Sequence, residues 1–319
     1  MTTVVIHTDH PQPCIDLLSP RHPDLTFVPC NTYEALPQCL RDNRPDVVFS
    51  TRFAGTPSYP AQAILGPDAP RWLSVGGSGV DHLGKWDTDK ITVTNAAGVA
   101  AGMMAEFAFG CLLHFTLDID GLNADKSARI WRNRTVTPLR GKTLLVIGLG
   151  QTGQAVAALA QAFGMTVIGT RARPQPMDNV DHVYAADEIA TLLPSADAIV
   201  VCTPLLDSTR GLLDAAAFAT MKPGALLVDV SRGGVVVQSA LIDALTRGNL
   251  AAAGLDVFET EPLPENSPLW ELPNLVVSPH CSSVYDGWEN ASILMFSDNL
   301  VRFQQGAPLH NIVDPHRGY

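Results

Sequence analysis

Basic residues are scarce in this chain. It holds 21 lysines and arginines in 319 residues against 32 acidic ones, a net charge of −11. A nucleic-acid backbone is held by a basic footprint, so nucleic acid is not expected as the main ligand; a few local arginines still suffice for one small phosphate. Charged residues of either sign make up only 17% of the chain, and no charge run or low-complexity segment occurs. Hydrophobic residues make up 46%, which excludes a disordered chain, because that much apolar surface offsets the entropy of ordering. The six cysteines, Cys14, Cys30, Cys39, Cys111, Cys202 and Cys281, form no C-x-x-C pair and no Cys/His cluster of zinc-ligand spacing. No metal is expected. Most of them lie in apolar surroundings, which predicts buried, reduced thiols and a cytoplasmic setting. The N-terminal run Met-Thr-Thr-Val-Val-Ile-His has neither a basic region nor a long apolar one, so no secretory signal is expected. Thr143 to Thr170 is 28 residues without a formal charge, long enough to span a bilayer. Five glycines and three glutamines interrupt it, so it reads instead as a buried strand, turn, helix and strand.

The length predicts two domains at about 150 residues each. In the first hundred residues, Val4–Thr8, Leu25–Pro29, Val47–Thr51 and Trp72–Val75 read as strands, with helical stretches at Cys14–Ser19 and Thr32–Arg41 between them. Strands separated by helix-length segments predict βαβ units and a parallel sheet. The same pattern returns at Thr143–Ile147, Thr166–Thr170, Ala198–Cys202, Leu226–Val230, Ala252–Leu255 and Leu275–Ser278. These are nearly all apolar, as strands covered on both faces must be. Gly98–Asp120 reads as one long helix joining the two regions, and Ala291–Gln304 as a last helix. No internal repeat is evident.

Lys142 to Gly153 is an apolar strand followed by G-x-G-x-x-G: Gly148-Leu149-Gly150-Gln151-Thr152-Gly153. Gly148 permits a tight turn, Gly150 lets backbone approach a pyrophosphate, and Gly153 lets helix and strand pack closely. The helix that follows, read as Gln154–Phe163, offers its N-terminal N–H groups to phosphate. The alternative is a glycine-rich turn without ligand, but the strand before, the helix after and the returning strand are the context the motif requires. That returning strand ends in Thr170-Arg171-Ala172-Arg173, where an NAD site carries Asp or Glu for the ribose 2′-hydroxyl; none occurs before Asp178. Arginine forks match phosphate, so this predicts NADP(H) as the preferred cofactor with NAD(H) possible. The alternative is that both arginines are ordinary surface residues.

Three more strands end in chemically able residues: Arg232 in Asp-Val-Ser231-Arg-Gly-Gly, Glu261 in Gly254-Leu-Asp256-Val-Phe-Glu-Thr-Glu-Pro, and His280 in Ser-Pro-His. Open parallel sheets bind ligands at the carboxyl ends of their strands, so the three are expected to converge. Singly, each has a plain alternative as a turn or surface residue. In this order and spacing, over nearly the whole chain, the sequence resembles the D-isomer-specific 2-hydroxyacid dehydrogenase family, in particular its NADP-dependent glyoxylate/hydroxypyruvate reductases. The resemblance implies an α/β fold of two Rossmann-like, doubly wound parallel-sheet domains, the cofactor domain inserted into the substrate domain. Residues 1–97 and 286–319 would form the substrate domain and 98–285 the dinucleotide-binding domain. It implies a catalytic triad of Arg232, Glu261 and His280. His280 would be the general acid for reduction of a 2-keto acid, Glu261 would orient its ring, and Arg232 would clamp the substrate carboxylate and polarise the carbonyl. Asp256 resembles the aspartate that meets the nicotinamide amide, or else caps a strand-end turn. The turn Val75-Gly76-Gly77-Ser78-Gly79 resembles the loop whose N–H groups receive the substrate carboxylate, with Ser78 and Gly79 as donors. Cys202, Thr203, Pro204, Thr209, Val230, Ser231 and Ser282 would complete the cofactor site. Glu106, on the segment between domains, is expected to be structural. A homodimer through the cofactor domains is implied, with no membrane partner.

Two departures from the family pattern stand out. Val237 and Gln238 occupy the place of a helix-capping aspartate, which predicts a local loss of stability. Cys281, Ser282 and Ser283 follow His280 where small residues with glycine are usual. Two other functions remain open. One is a dehydrogenase of bulkier D-2-hydroxy acids, with Phe53, Met103, Met104, Tyr285 and Trp288 lining an apolar pocket or simply the core. The other is a corepressor-like dinucleotide-sensing module, against which the intact triad and the absence of a tail weigh.

Overall fold

The computed structural model describes residues 2–52 and 59–315. Phe53 lies outside the described residues. The chain divides into two compact units, Met1–Val99 with Asp286–Tyr319, and Ala100–Tyr285.

The first unit runs β1 (Thr3–His7), α1 (Pro11–Leu18), β2 (Thr26–Cys30), α2 (Leu36–Asn43), β3 (Val47–Ser50), α3 (Ala61–Ile64), β4 (Trp72–Val75) and β5 (Thr92–Thr94). Its parallel sheet has the order β2-β1-β3-β4-β5. Alternate residues of β1 face opposite cores: Val5 packs with Leu36, Leu40 and Ile64, while Val4 and Ile6 pack with Leu18, Phe49 and Trp72. The C-terminal segment contributes a helix to the second of these cores, Trp288–Gln305. Its Phe296 lies 5.0 Å from Phe49 and 5.2 Å from Trp72, ring centre to ring centre. β5 is absent from the strands read in the sequence, because Thr-Val-Thr is too short and too polar to stand out as an apolar run.

The second unit opens with α4 (Ala101–Thr116) and α5 (Ile119–Ala128). The single helix expected over Gly98–Asp120 is therefore two. Asp118 sits at φ +52 and its carboxylate accepts from Gly121 N–H, so it ends one helix and caps the next. There follow β6 (Thr143–Ile147), α6 (Gln151–Ala162), β7 (Thr166–Arg171), β8 (His182–Ala185), α7 (Ile189–Leu192), β9 (Ala198–Val201), α8 (Ala215–Thr220), β10 (Ala225–Asp229), α9 (Gln238–Arg247), β11 (Leu250–Leu255) and β12 (Leu275–Val277). The Trp288–Gln305 helix of the first unit is α10. The parallel order is β12-β11-β10-β9-β6-β7-β8, that of a dinucleotide-binding sheet with one strand added, and the order reverses between β6 and β9. Leu145 and Ile147 face one core and Leu144 and Val146 the other, which is why the strands lack polar alternation. The uncharged stretch from Thr143 is thus β6, α6 and β7. No single helix among the described residues is long and apolar enough to cross a membrane.

Two expectations are corrected here. Only Cys30 and Cys111 are buried; Cys281 is exposed and the rest are half-buried, all as free thiols. The uncapped start of α9 is supplied from elsewhere: Gln238 N–H donates to Glu259 Oε1 at 2.8 Å, so a carboxylate 21 residues on replaces the missing local cap.

β10 ends in Asp229, which is buried; its Oδ1 accepts from the N–H and hydroxyl of Ser231. Burial pushes this carboxyl up to about 7, against the Ser231 hydrogen bonds and Arg232, with the Asp256 charge adding to the rise. Its folded pKa thus lies above the ordinary 3.8. Such a group contributes stability that is complete below pH 4 and is lost as pH rises through 7. Asp229→Asn keeps an acceptor for Ser231 and removes the charge. Urea unfolding of both proteins is expected to show the variant gaining on the wild type by a few kcal/mol between pH 4 and 8; parallel profiles would contradict it.

Candidate active site

The glycine loop occupies the point where the order of the second sheet reverses. Gly148 has φ +97, and a Cβ on it would lie 2.9 Å from the backbone of Thr203, which follows β9. A Cβ on Gly153 would lie 2.1 Å from Gly148 O. Both glycines are required by the chain itself. Gly150 is different: a Cβ there would meet nothing within 4 Å. The open space beside it, and the absence of any side-chain cap on α6, leave backbone N–H groups of Gln151 and Thr152 facing a place that suits a pyrophosphate. Leu149 contributes only backbone. Its side chain is buried under Gly169, and its N–H donates to Thr170 O at 3.0 Å, tying the loop to the end of β7. The Thr152 hydroxyl points to Met104 Sδ at 3.7 Å, and Met104 packs into the core rather than a pocket wall.

β7 closes on buried Thr170 and half-buried Arg171, whose Nη1 lies 3.4 Å from Met177 Sδ. Arg173 is exposed, as is Asp178. The residues that directly follow the strand, Ala172 to Met177, include no carboxylate for a ribose 2′-hydroxyl. Cys202, Thr203 and Pro204 follow β9 and are half-buried. The Thr209 hydroxyl is engaged inside its own loop, accepting from Leu206 N–H at 2.7 Å and donating to Pro204 O at 2.6 Å.

The ends of β10, β11 and β12 bring the three strand-end residues together. His280 Nδ1 lies 2.8 Å from Glu261 Oε2, each side chain 37% exposed. Glu261 Oε1 accepts from Phe258 N–H at 3.0 Å. Burial pushes the Glu261 carboxyl up, but the hydrogen bonds from His280 and Phe258, with the positive charges of His280 and Arg232, outweigh it and hold it below the usual carboxylate range. Arg232, after buried Val230 and Ser231, is thus near enough to act on Glu261; its Nη1 donates to Ser231 O at 2.7 Å.

His280 itself sits at φ +54, a conformation uncommon for a residue with a side chain. Asp256 accounts for it. This carboxylate is 1% exposed. Its Oδ1 accepts from the Ser278 hydroxyl at 2.6 Å, Cys281 N–H at 2.8 Å and Ser282 N–H at 3.0 Å, and its Oδ2 accepts from the Ser282 hydroxyl. With those acceptor sites filled, Asp256 organises the 278–282 loop that presents His280. Asp256 thus caps this turn, and Ser282 belongs to the same loop. Ser278 was not singled out in the sequence. The strand register places it: β11 and β12 pair Leu255 with Val277, which sets Asp256 beside Ser278.

In the first unit, the turn after β4 holds Ser78 exposed and Gly79 half-buried. Trp288 lines a shallow cleft with Thr8, His10, Thr51 and Ser292. Met103 and Tyr285 are half-buried and Glu106 is exposed. Among the described residues no His, Cys, Asp and Glu group is arranged to hold a metal ion.

Residues 109–282 match the family described as D-isomer specific 2-hydroxyacid dehydrogenase, NAD binding domain. The glyoxylate reductase of Aeropyrum pernix is 37% identical over 237 residues, 70% of each chain. The D-3-phosphoglycerate dehydrogenase of Mycobacterium leprae is 39% identical over 227 residues, which are 69% of this chain and 42% of that one. A crystal structure of a D-isomer specific 2-hydroxyacid dehydrogenase from Xanthobacter autotrophicus, in complex with NADPH and MES, matches with a TM-score of 0.83 at 28% identity, over 100% of this chain and 99% of that one. With its two parallel-sheet units and its dinucleotide-binding loop, this chain belongs to the D-isomer-specific 2-hydroxyacid dehydrogenases, oxidoreductases that use a nicotinamide dinucleotide.

Proposed function

We propose that this protein reduces a small 2-keto acid of the glyoxylate or hydroxypyruvate kind to the D-2-hydroxy acid, with NADPH as the preferred cofactor. The observation that carries the reading is the 2.8 Å contact between His280 Nδ1 and Glu261 Oε2, with Arg232 acting on the same carboxylate. When bound, the dinucleotide supplies the hydride. Glu261 engages Nδ1 and so orients the ring with Nε2 outward, where it donates a proton to the oxygen of the reduced carbonyl. Arg232 holds the substrate carboxylate through its planar fork and polarises the carbonyl. Ser78 and Gly79 N–H groups receive carboxylate oxygens. Residues 1–97 and 286–319 serve as the substrate domain and 98–285 as the dinucleotide-binding domain. There, Gly148 to Gly153 hold the pyrophosphate and residues 202–204 and 230–232 line the remainder.

Arg171, with exposed Arg173 two residues on, favours a 2′-phosphate where the chain directly after β7 offers no carboxylate. The NADPH held by the Xanthobacter protein supports the same choice of cofactor, and the name of the Aeropyrum relative, glyoxylate reductase, supports the choice of substrate. The Mycobacterium leprae relative favours a second reading, a bulkier D-2-hydroxy acid as substrate. A panel of keto acids followed by NADPH absorbance distinguishes the two. We further place the protein in the cytoplasm, as a homodimer through the second unit. Trp131 there is 100% exposed, beside exposed Ile130 and Val136, on a segment tied down by Arg132 and Arg134 to Asp125. A second copy covering its own patch is the commonest way such a surface is closed.

His280→Asn is expected to lower kcat by about 10²–10⁴-fold with little change in NADPH affinity; near-normal turnover would remove His280 as the acid. Arg171→Ala should raise the KM for NADPH roughly 10- to 150-fold, the worth of one charge-assisted hydrogen bond, and leave NADH nearly unaffected. A wild type that prefers NADH would show that Arg171 binds no phosphate. Trp131→Asp should convert the dimer to monomer in sedimentation, and an unchanged sedimentation coefficient would rule out this interface.

A further inference from the structure

Three consecutive peptides in the turn after β4 have their carbonyls taken by the body of the first unit. Gly76 O accepts from the Ser292 hydroxyl on α10 at 2.9 Å. Gly77 O accepts from Ala96 N–H at 2.9 Å. Ser78 O accepts from Asn95 Nδ2 at 2.7 Å. A trans peptide points its N–H opposite to its carbonyl. The N–H groups of Gly77, Ser78 and Gly79 are therefore directed away from these partners, and none of them meets an acceptor among the described residues.

Of the three pins, Asn95 is the one made for the purpose. It is buried, and its backbone is clamped by Asn311: Asn95 N–H donates to Asn311 O at 3.1 Å, and Asn311 Nδ2 donates to Asn95 O at 3.3 Å and Ala97 O at 2.9 Å. Its Oδ1 accepts from Ala97 N–H at 3.2 Å. That donor settles which way the side-chain amide faces, because only its nitrogen end can meet the Ser78 carbonyl. The pin is needed. Glycine at 77 and 79 leaves the intervening peptides free to adopt either orientation. A reversed Ser78–Gly79 peptide would present a carbonyl oxygen, which repels an anion, where the N–H now stands.

We propose that Asn95 is the positioning residue of the carboxylate-binding turn, aiming the Ser78–Gly79 peptide at the substrate anion, with Gly77 N–H as a further donor beside Ser78 and Gly79. This rests on the reading of that turn as the carboxylate site. Ser292 plays the lesser part of holding the first peptide.

The test is Asn95→Asp in the full-length protein. It keeps size and the acceptor for Ala97 N–H, and replaces the donor to Ser78 O. The KM for glyoxylate is expected to rise about tenfold or more, the loss of a hydrogen bond to a charged group, while the KM for NADPH stays nearly unchanged; the Tm falls, because a buried carboxylate then faces the Ser78 carbonyl without a donor. The Kd of oxalate, an unreactive dicarboxylate, measured by calorimetry on the NADP-loaded protein, should weaken by the same factor. Ser292→Ala should move both quantities the same way by a few-fold. An unchanged glyoxylate KM and oxalate Kd in Asn95→Asp overturn the proposal, and so does an equal rise in the KM for NADPH, which marks a purely structural residue. If Asn95→Asp does not fold, oxalate affinity unaltered in Ser292→Ala overturns it. A wild type that reduces no 2-keto acid, yet binds oxalate in an Asn95-dependent manner, refutes the proposed reaction and upholds the role of Asn95.

Discussion

Four donors converge on one buried carboxylate at the end of β11. The hydroxyls of Ser278 and Ser282 and the N–H groups of Cys281 and Ser282 all reach Asp256. A charge taken out of water is tolerated only when hydrogen bonds replace its hydration. Here the replacement comes from a single five-residue loop, so satisfying Asp256 and shaping the loop are one event. His280 is carried at the apex, at φ +54, and its ring is delivered to Glu261. That contact in turn rests on Phe258 N–H holding the other Glu261 oxygen. Removing Asp256 would leave two backbone donors and two hydroxyls without their acceptor, and the histidine without its stage.

The glycine loop and the turn after β4 use a related economy of backbone. Gly148 and Gly153 are required by contacts of the chain with itself, whereas Gly150 is left with open space. In the turn after β4, three consecutive carbonyls are taken by the body of the first unit. In both places contacts of the chain with itself orient the peptides, and under the proposed function the N–H groups serve an anion. Donors held in advance need little reorganisation when charge arrives.

Much of this was legible in the sequence. The apolar runs from Val4 to Leu275 marked nearly all the buried strands, because strands covered on both faces have no polar alternation to obscure them. Arg232, Glu261 and His280 stood out as polar residues ending such runs. Less legible were short or polar elements: β5 is three residues long with two threonines, and β8 is only partly buried. The break at Asp118 was hidden because apolar spacing continues through it, while the backbone reverses on one carboxylate. The missing cap of α9 was read correctly as missing, but its substitute, Glu259, lies 21 residues away and could not be found by local inspection.

By itself, the sequence determined the parallel α/β class, the strand–glycine loop–helix unit and the absence of an acidic residue after β7. These depend on the order of residue types along the chain and on local backbone freedom. Only the tertiary structure decided what Asp256 does, where the Glu261 oxygens point, and how the turn at Ser78 is held by Asn95 and Ser292, residues 17 and 214 positions away along the chain. The reason is directional. A hydrogen bond depends on angle and distance between groups brought together by strand register and helix packing, and no spacing along the sequence encodes those angles.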